Sequence, residues 1–405
     1  MISRFRVKNY KALKDIDIPL TPIHVIIGQN DSGKTSLLEA ILAFCQSSEP
    51  QSILPGTFVG NWVGKQLVSF NAPESVIELS AQLEGLYEGD SQSFEYGFRV
   101  RFDDLPLRNC TLVAEWILKD TKELIPVNNY NKTSVSNRTI SFNHLTEEEG
   151  HNKRRPLDMV AAMVGSAHYY RFDAKVMSLP SALDPNENFR LATDGFGLPT
   201  LLDDILGHDR DLFGQLIMEF CKYFPEFKDI RLEKINASKR SYDASGLPHT
   251  SLAAGKGICF LTQSGFEIRA QQASDGALLF LGFLSLLYIP TPPKVLLIEE
   301  PEKGVYPKRL AEIVRILKRL VETKSDREVP QIIFTTHSPY VLSEFTPEEV
   351  TVMSRDVGDS VIARPLRDAP NIEKRLGGGA FYLGELWYNL DEEELFADGR
   401  PASRR

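Results

Sequence analysis

One octapeptide near the N-terminus constrains the fold more than any other stretch of the chain. Residues 28–35 read Gly-Gln-Asn-Asp-Ser-Gly-Lys-Thr, which is the pattern GxxxxGK[ST]. The apolar run 23–27 precedes it, and apolar residues at helical spacing follow it. A strand, a glycine loop and a helix in this order bring backbone N–H groups together at a helix N-terminus, where phosphate binds. The segment therefore predicts an α/β fold built around a phosphate-binding loop.

This loop supplies most of the predicted nucleotide contacts. We expect the Lys34 ammonium to pair with the β- and γ-phosphates of ATP, and the Thr35 hydroxyl to ligate Mg²⁺. The residues of the loop and of the first helical turn that we predict to bind the nucleotide are Asn30, Asp31, Ser32, Gly33, Lys34, Thr35 and Ser36.

A second apolar segment ends in two adjacent carboxylates. Residues 294–301 read Lys-Val-Leu-Leu-Ile-Glu-Glu-Pro, which predicts a buried strand followed by Glu299 and Glu300. Ligands of open α/β sheets bind at the C-terminal ends of the strands. We expect Glu299 to hold the magnesium through water and Glu300 to act as the general base on the attacking water. Taken alone, the pair fits an acidic surface patch equally well, and the phosphate loop favours the nucleotide interpretation.

Two further segments complete the predicted site. In the segment 272–278, Ser274 and Gly276 open an apolar helix whose free N–H groups favour a phosphate. Capping of that helix by Ser274 is a compatible alternative. The strand predicted at 331–335 leads to His337, which is placed to bond the γ-phosphate or the attacking water, although a single histidine at a strand end is more often structural. The predicted catalytic residues are Lys34, Glu300 and His337.

In this order the four segments resemble the ABC-type ATPases of the SMC, RecF and OLD group. The resemblance makes 28–35 the Walker A motif, 295–300 the Walker B motif, 273–277 the signature motif, 302–307 the D-loop region and His337 the switch histidine. It implies an α/β P-loop NTPase fold of the ABC or SMC-head type, with an N-terminal antiparallel β lobe and an inserted helical lobe.

The same resemblance implies how the site is assembled and used. In this group two ATP molecules, each with Mg²⁺, are held between two heads, and the signature serine reaches the γ-phosphate of the partner. Ser274 is then expected to act in trans, within a homodimer or a higher oligomer. Stand-alone members of the group imply an ATP-driven switch in DNA repair or anti-phage defence that works with a separately encoded effector.

Several residues depart from the pattern of the group. The signature reads ASDGA instead of the LSGGQ of transporters, Glu299 replaces the commoner aspartate, and Tyr306 stands where many relatives have histidine. No glutamine occurs between 165 and 200, so the glutamine of the Q-loop is not placed. No DxD motif follows His337, so a nuclease domain of the Toprim type is not expected. The sequence has no sustained heptad repeat, so the long coiled-coil arm of an SMC protein is not expected either.

Strand and helix patterns divide the chain into three predicted parts. Alternating segments between 75 and 118 predict antiparallel strands, the polar stretch 128–137 predicts a loop, and helical periodicity dominates 198–224. The predicted parts are an N-terminal ATPase lobe at 1–150 with Walker A, an inserted lobe of helices and strands at 151–255, and a C-terminal ATPase lobe at 256–405 with the signature, Walker B and the switch histidine.

Composition limits the cellular context and the partners. Four scattered cysteines without CxxC spacing and a basic, non-apolar N-terminus predict a cytoplasmic protein. The most apolar stretch, 276–289, is too short to span a bilayer, so no membrane partner is expected. A net charge of −9 does not indicate nucleic acid, yet local basic clusters such as 153–155 leave a DNA partner open.

Two other functions stay open on the sequence. An ATP-binding subunit of a transporter is disfavoured by the ASDGA signature and by the strand-rich insert. A scaffold that uses ATP only as a structural clamp is disfavoured by Glu300, which has no role without hydrolysis.

Overall fold

A computed structural model gives the fold of the chain. The residues that it describes are 1–49, 57–58, 64–70, 72, 75–87, 90–102, 110–119, 122–125, 158–183, 189–242, 248–322, 329–356, 360–370, 372–376 and 382–389. The loop predicted at 128–137 and the basic cluster at 153–155 lie outside them.

The chain forms two compact units, and neither is a continuous stretch of sequence. Unit 1 comprises Met1–Tyr169, Pro293–Glu299 and Pro330–Arg405. Unit 2 comprises Tyr170–Pro292 and Glu300–Val329. The division into lobes at 150 and 255 stays a prediction.

Unit 1 holds two six-stranded sheets and unit 2 a four-stranded one. The strands are β1 Ile2–Tyr10, β2 Leu13–Pro19, β3 Ile23–Gly28, β4 Val76–Tyr87, β5 Asp90–Phe102, β6 Cys110–Lys119, β7 Lys122–Ile125, β8 Ala167–Tyr170, β9 Ser181–Ala182, β10 Phe227–Tyr242, β11 Pro248–Thr262, β12 Glu267–Arg269, β13 Val295–Glu299, β14 Gln331–Thr336, β15 Val350–Arg355 and β16 Val361–Pro365. The helices are α1 Lys34–Ser47, α2 at 158–164, α3 Ala174–Met177, α4 Leu198–His208, α5 Arg210–Tyr223, α6 Asp275–Leu286, α7 Pro307–Glu322, α8 Pro339–Leu342, α9 Ile372–Arg375 and α10 Leu383–Asn389.

The largely parallel sheet of unit 1 has the order β16-β15-β3-β14-β13-β8. Its central strands β3, β14 and β13 are parallel to one another and buried at every position. Strands buried along their whole length are typical of a parallel sheet that is covered on both faces. The register pairs Ile27 with Thr336 and Thr335 with Glu299, so the C-terminal ends of the three strands lie at one edge of the sheet.

Helix α1 lies between this sheet and the antiparallel sheet β2-β1-β4-β5-β6-β7. A helix covered on both sides must be apolar almost all round, and ten of its residues are buried. Phe44 shows the arrangement, since its ring lies 5.7 Å from Phe5 of β1, 5.6 Å from Tyr96 and 6.1 Å from Phe98 of β5. The core of unit 1 therefore fixes the helix that begins at the phosphate loop.

Unit 2 is built around the long β10–β11 hairpin and the buried helix α6. Aromatic rings fill its core, with Phe220 5.7 Å from Phe260 and 4.8 Å from Phe224. The Arg309 guanidinium of α7 lies 4.7 Å above the Phe224 ring, and it also donates a hydrogen bond to the backbone carbonyl of Tyr223. Within the described residues of both units, no helix has the length and apolar character that a membrane crossing requires.

Candidate nucleotide-binding site

The loop between β3 and α1 requires glycine at two positions. A Cβ added to Gly28 would lie 2.0 Å from the carbonyl oxygen of Met353, its register partner on β15, so only glycine fits there. Gly33 has φ 91° as the N-cap of α1, a left-handed conformation that glycine adopts without strain. Asp31 also has a positive φ, 62°. The chain therefore turns tightly around the first turn of α1.

Lys34 is buried inside this turn. Its ammonium donates hydrogen bonds to the backbone carbonyls of Gly28, at 2.9 Å, and Gln29, at 2.7 Å. A buried charge needs such partners, and these two hold the ammonium against the loop. The position agrees with the predicted role, because a phosphate seated in the loop would meet the same ammonium.

The Walker A hydroxyl and the Walker B carboxylate meet directly. Thr35 Oγ1 donates a hydrogen bond to Glu299 Oε1 across 264 positions of sequence. The Glu299 side chain is nearly inaccessible, with the residue 5% exposed. A hydroxyl and a carboxylate side by side are hard oxygen ligands of the type that Mg²⁺ prefers. These two predicted metal ligands are thus brought together.

One buried polar atom of the loop points to a ligand. Among the residues that the structure describes, the Ser32 Oγ has no hydrogen-bond partner although the residue is only 2% exposed. Buried hydroxyls are normally satisfied, and an exception calls for a missing partner. Phosphate oxygens would accept its hydrogen bond. With the ammonium of Lys34 and the Thr35–Glu299 pair, the loop fits a magnesium nucleotide.

Glu300 directly follows β13 in the sequence, and His337 directly follows β14. Glu300 is half-buried and has φ 48°, which is uncommon for a residue other than glycine. Its carbonyl accepts the N–H of Lys303 at 3.0 Å, so a tight turn imposes the conformation. Strained backbone of this kind clusters at functional sites. His337 is the half-buried residue directly after β14 in unit 1.

The predicted signature residues lie at the start of α6 in unit 2. Ser274 is the N-cap, and its Oγ accepts the N–H of Ala277 at 3.3 Å, so the predicted capping role is present. The residue is nevertheless exposed. A Cβ added to Gly276 would meet no atom within 4 Å. The space beside Gly276 is therefore open.

Comparison with known families places the chain in one of them. A family model described as "AAA domain, putative AbiEii toxin, Type IV TA system" matches residues 23–343. The chain belongs to this AAA domain family. This AAA domain is a member of the SMC, RecF and OLD group of P-loop ATPases, as the order of its motifs predicts.

A solved structure of an SMC head shares the fold of the chain. An SMC head bound to the C-terminal winged-helix domain of ScpA is 15% identical, covers 93% of this chain and 99% of its own, and superposes with a TM-score of 0.51. This likeness confirms the predicted SMC-head-like α/β fold. An SMC head with an extended coiled coil, bound to the C-terminal domain of ScpA and derived from Pyrococcus furiosus, is 13% identical over 94% of this chain and 99% of its own, with a TM-score of 0.46.

The curated relative is the OLD nuclease of Thermus scotoductus. It is 51% identical over 41 residues, which are 10% of this chain and 8% of the nuclease. The AAA domain therefore matches only a small part of that relative's length.

Two residues at the site are not among the site residues predicted from the sequence. The Tyr169 hydroxyl of β8 donates a hydrogen bond to Glu299 Oε2. Arg355 Nε, at the end of β15, donates to the carbonyl of Asp31 at 3.0 Å and so supports the loop. In the sequence, Tyr169 looks like one more aromatic in a buried strand and Arg355 like a solvated strand end.

A second group of metal-capable side chains lies in unit 2. The ligand atoms of Glu233, Cys259 and Glu267 lie within 4.8 Å of one another, beside a cavity of about 500 Å³. Each carboxylate already faces an arginine, Glu233 at 3.7 Å from Arg269 and Glu267 at 3.1 Å from Arg231. Burial, then the two carboxylates, raise the pKa of the Cys259 thiol, which disfavours the thiolate that metals bind. We therefore interpret the two carboxylates as partners in ion pairs between the strands β10 and β12, which flank β11.

His24 of β3 gives the AAA domain a pH-dependent stability. Its Nδ1 lies 3.0 Å from Thr21 Oγ1 and its Nε2 2.9 Å from Thr351 Oγ1. Complete burial, and secondarily the charge of Arg367, lower the pKa of His24 to about 3. Because an unfolded histidine titrates near about 6.5, the unfolded chain binds the proton in the window between these values. We therefore expect the contribution of His24 to stability to be complete well above pH 6.5 and to fall as the pH decreases towards 3, by up to about 1.4 kcal/mol per pH unit.

We expect the His24→Asn variant to lose this part of the pH dependence. Urea unfolding at pH 7 and pH 5 measures it, since the wild type should lose up to about 2 kcal/mol more than the variant over that interval. Replacement of the exposed His208 by asparagine is the matched control and should keep the wild-type slope. Equal slopes for His24→Asn and the wild type would contradict the prediction.

Proposed function

We propose that the AAA domain binds ATP with Mg²⁺ and hydrolyses it within a head-to-head dimer. The observation that carries the proposal is the hydrogen bond between Thr35 and Glu299. This bond joins the end of the phosphate loop to the end of β13. The sequence predicts these two segments as the two halves of one site. The buried Ser32 hydroxyl and the Lys34 ammonium in the same loop add donors that suit phosphate oxygens.

Each residue of the site has a proposed task. Lys34 binds the β- and γ-phosphates, together with the loop N–H groups of 30–36. Thr35 and Glu299 hold the magnesium ion, which neutralises charge on the phosphate oxygens. Glu300 accepts a proton from the attacking water, and His337 donates a hydrogen bond to the γ-phosphate or bonds the attacking water.

The dimer is supported by the position of the signature residues. Ser274 is exposed and Gly276 has open space beside it, so the N-terminus of α6 is accessible to a second molecule. A helix N-terminus carries a partial positive charge that favours an anion. In a two-fold dimer each Ser274 would reach the phosphate bound by the other subunit, and both sites would form together.

We further propose that the dimer is a cytoplasmic switch for a separately encoded effector, in anti-phage defence or DNA repair. The family description names a toxin of a type IV toxin–antitoxin system, and the curated relative is an OLD nuclease. SMC heads are seen with bound ScpA domains, which suits a partner protein for this head as well.

A mixing experiment tests the hydrolysis and the shared site together. We expect Lys34→Ala and Ser274→Arg each to abolish steady-state ATP hydrolysis, and a one-to-one mixture to recover about a quarter of the wild-type rate. Random pairing makes half of the dimers mixed, and each mixed dimer keeps one intact site of two. The exposed side chain at 274 makes arginine compatible with folding, at a cost of about 1 kcal/mol for the lost cap.

Controls separate the alternatives. Phosphate release is measured for the wild type, each variant and the mixture, and light scattering with ATP gives the oligomeric state. No recovery in the mixture would place Ser274 in its own subunit's site or exclude the dimer. A wild type that binds ATP without releasing phosphate, with DNA or cell extract added, would favour the scaffold function.

A further inference from the structure

Tyr169 holds the oxygen of Glu299 that Thr35 does not hold. Glu299 Oε1 accepts a hydrogen bond from Thr35, and Oε2 accepts one from the Tyr169 hydroxyl. Tyr169 lies 130 positions before Glu299 in the chain. The strands that carry them, β8 and β13, are neighbours in the parallel sheet. The two oxygens of this carboxylate are therefore oriented by two hydroxyls from different parts of unit 1.

The hydroxyl of Tyr169 is held in place by its ring. The side chain is half-buried and packs against the hydrophobic core of unit 1. β8 is further joined to the acidic strand where the N–H of Lys294 bonds the carbonyl of Ser166 at 3.1 Å. A ring packed in this way loses little further entropy when its hydroxyl makes a hydrogen bond. Tyr169 therefore offers a fixed donor to Glu299.

We propose that Tyr169 is a positioning residue for the metal-binding carboxylate of Glu299, an inference that rests on the proposed ATPase function. The groups that bond the outer oxygen of a ligating carboxylate set its orientation and thus its affinity for the ion. A phenol donates one hydrogen bond and brings no positive charge. It therefore fixes Oε2 and leaves the negative charge of Glu299 available to a cation near Oε1 and Thr35.

A purely structural role predicts a different outcome. In that case the hydroxyl only satisfies a buried carboxylate, and its loss lowers stability without changing metal affinity once the protein is folded. Binding of the metal must therefore be measured separately from stability and from turnover.

The test uses Mn²⁺ as a spectroscopic substitute for Mg²⁺ in the 405-residue chain. Free Mn²⁺ is measured by electron paramagnetic resonance while Mn²⁺ is titrated into an equimolar mixture of protein and ATP. The same titration of ATP alone gives the Mn²⁺ held by free nucleotide, and binding by the protein is the excess over that reference. We expect Tyr169→Phe to weaken Mn²⁺ binding about tenfold or more. ATP affinity measured in EDTA should stay within about twofold of the wild type, because no contact with the nucleotide is removed. Thermal unfolding establishes that the variant is folded at the titration temperature.

Tyr288→Phe is the matched control. The Tyr288 hydroxyl donates to Glu219 Oε2 at 2.8 Å, so the variant also deletes a tyrosine–glutamate hydrogen bond, but one within unit 2 and outside the proposed site. Its Mn²⁺ affinity should equal that of the wild type. In a Glu299→Gln background, Tyr169→Phe should cause no further loss, because its effect passes through that carboxylate.

The outcomes distinguish the inference from the proposed function. If the wild type binds no Mn²⁺ in the presence of ATP, the proposed function is wrong. If the wild type binds it and Tyr169→Phe binds it equally well, only the inference is wrong. A further tenfold loss in the Glu299→Gln background would also overturn it, since Tyr169 would then act on the metal or nucleotide by itself.

Discussion

In the Glu300→Gln variant, ATP hydrolysis should fall by a factor of about 10² to 10⁴ while ATP binding persists. The amide keeps the size and shape of the side chain but cannot accept the proton of the attacking water. The turn that gives Glu300 its φ of 48° depends on the backbone, through the bond from the N–H of Lys303. We therefore expect the variant to fold as the wild type does.

Single-turnover phosphate release and nucleotide binding measure the two effects. With ATP, the variant should accumulate as a dimer in size-exclusion chromatography, because the step that opens it is blocked. Glu299→Gln is the informative contrast, since it removes the carboxylate that Thr35 contacts and should weaken magnesium-dependent binding instead. Hydrolysis by Glu300→Gln within about threefold of the wild-type rate would show that another group is the base.

The Lys34→Ala variant should lose about a hundredfold or more in ATP affinity. The ammonium is fixed against the loop by the carbonyls of Gly28 and Gln29, so it is positioned before the nucleotide arrives. A hydrogen bond from a charged group contributes about 1.5–3 kcal/mol, and the ammonium is expected to serve two phosphates. Neither water nor the methyl group of alanine replaces that charge.

Fluorescent ATP analogues give the affinity directly, with competition by unlabelled ATP to exclude effects of the label. Lys256→Ala is the control, because Lys256 forms a 2.6 Å ion pair with Asp203 in unit 2 and its loss changes the net charge equally. Lys256→Ala should bind ATP as the wild type does. An affinity of Lys34→Ala close to that of the wild type would mean that the nucleotide does not enter this loop.

Sequence patterns predict the strands and the helix around the phosphate loop well, because there the hydrophobic pattern of each segment agrees with its burial in the fold. The strands β13 and β14 match the strands predicted before the two carboxylates and before His337. Strands buried on both faces are recognisable as short unbroken apolar runs. Adjacent placement of Thr35 and Glu299 follows from the rule that ligands bind where parallel strands end.

Elements held by pairing alone are much less visible in the sequence. β10 and β11 extend through 236–242 and 248–256, where the sequence is polar or small and has no apolar alternation, because backbone pairing with each other stabilises them. The break between α4 and α5 falls inside continuous helical periodicity, where Asp209 caps α5 by accepting two backbone N–H groups. The bond from Tyr169 to Glu299 joins residues 130 positions apart, which no local pattern reveals.

The strand order of the parallel sheet has a consequence for synthesis on the ribosome. β3 is completed by residue 28, but its two neighbours are residues 331–336 and 350–355. At about 5–20 residues per second, roughly 15–60 s pass before translation reaches them. During that time a strand that is apolar except for His24 has no sheet to join, so the nascent chain is exposed to aggregation and suited to chaperone binding. The parallel sheet beside the phosphate loop can therefore form only after residues 331–355 have been translated.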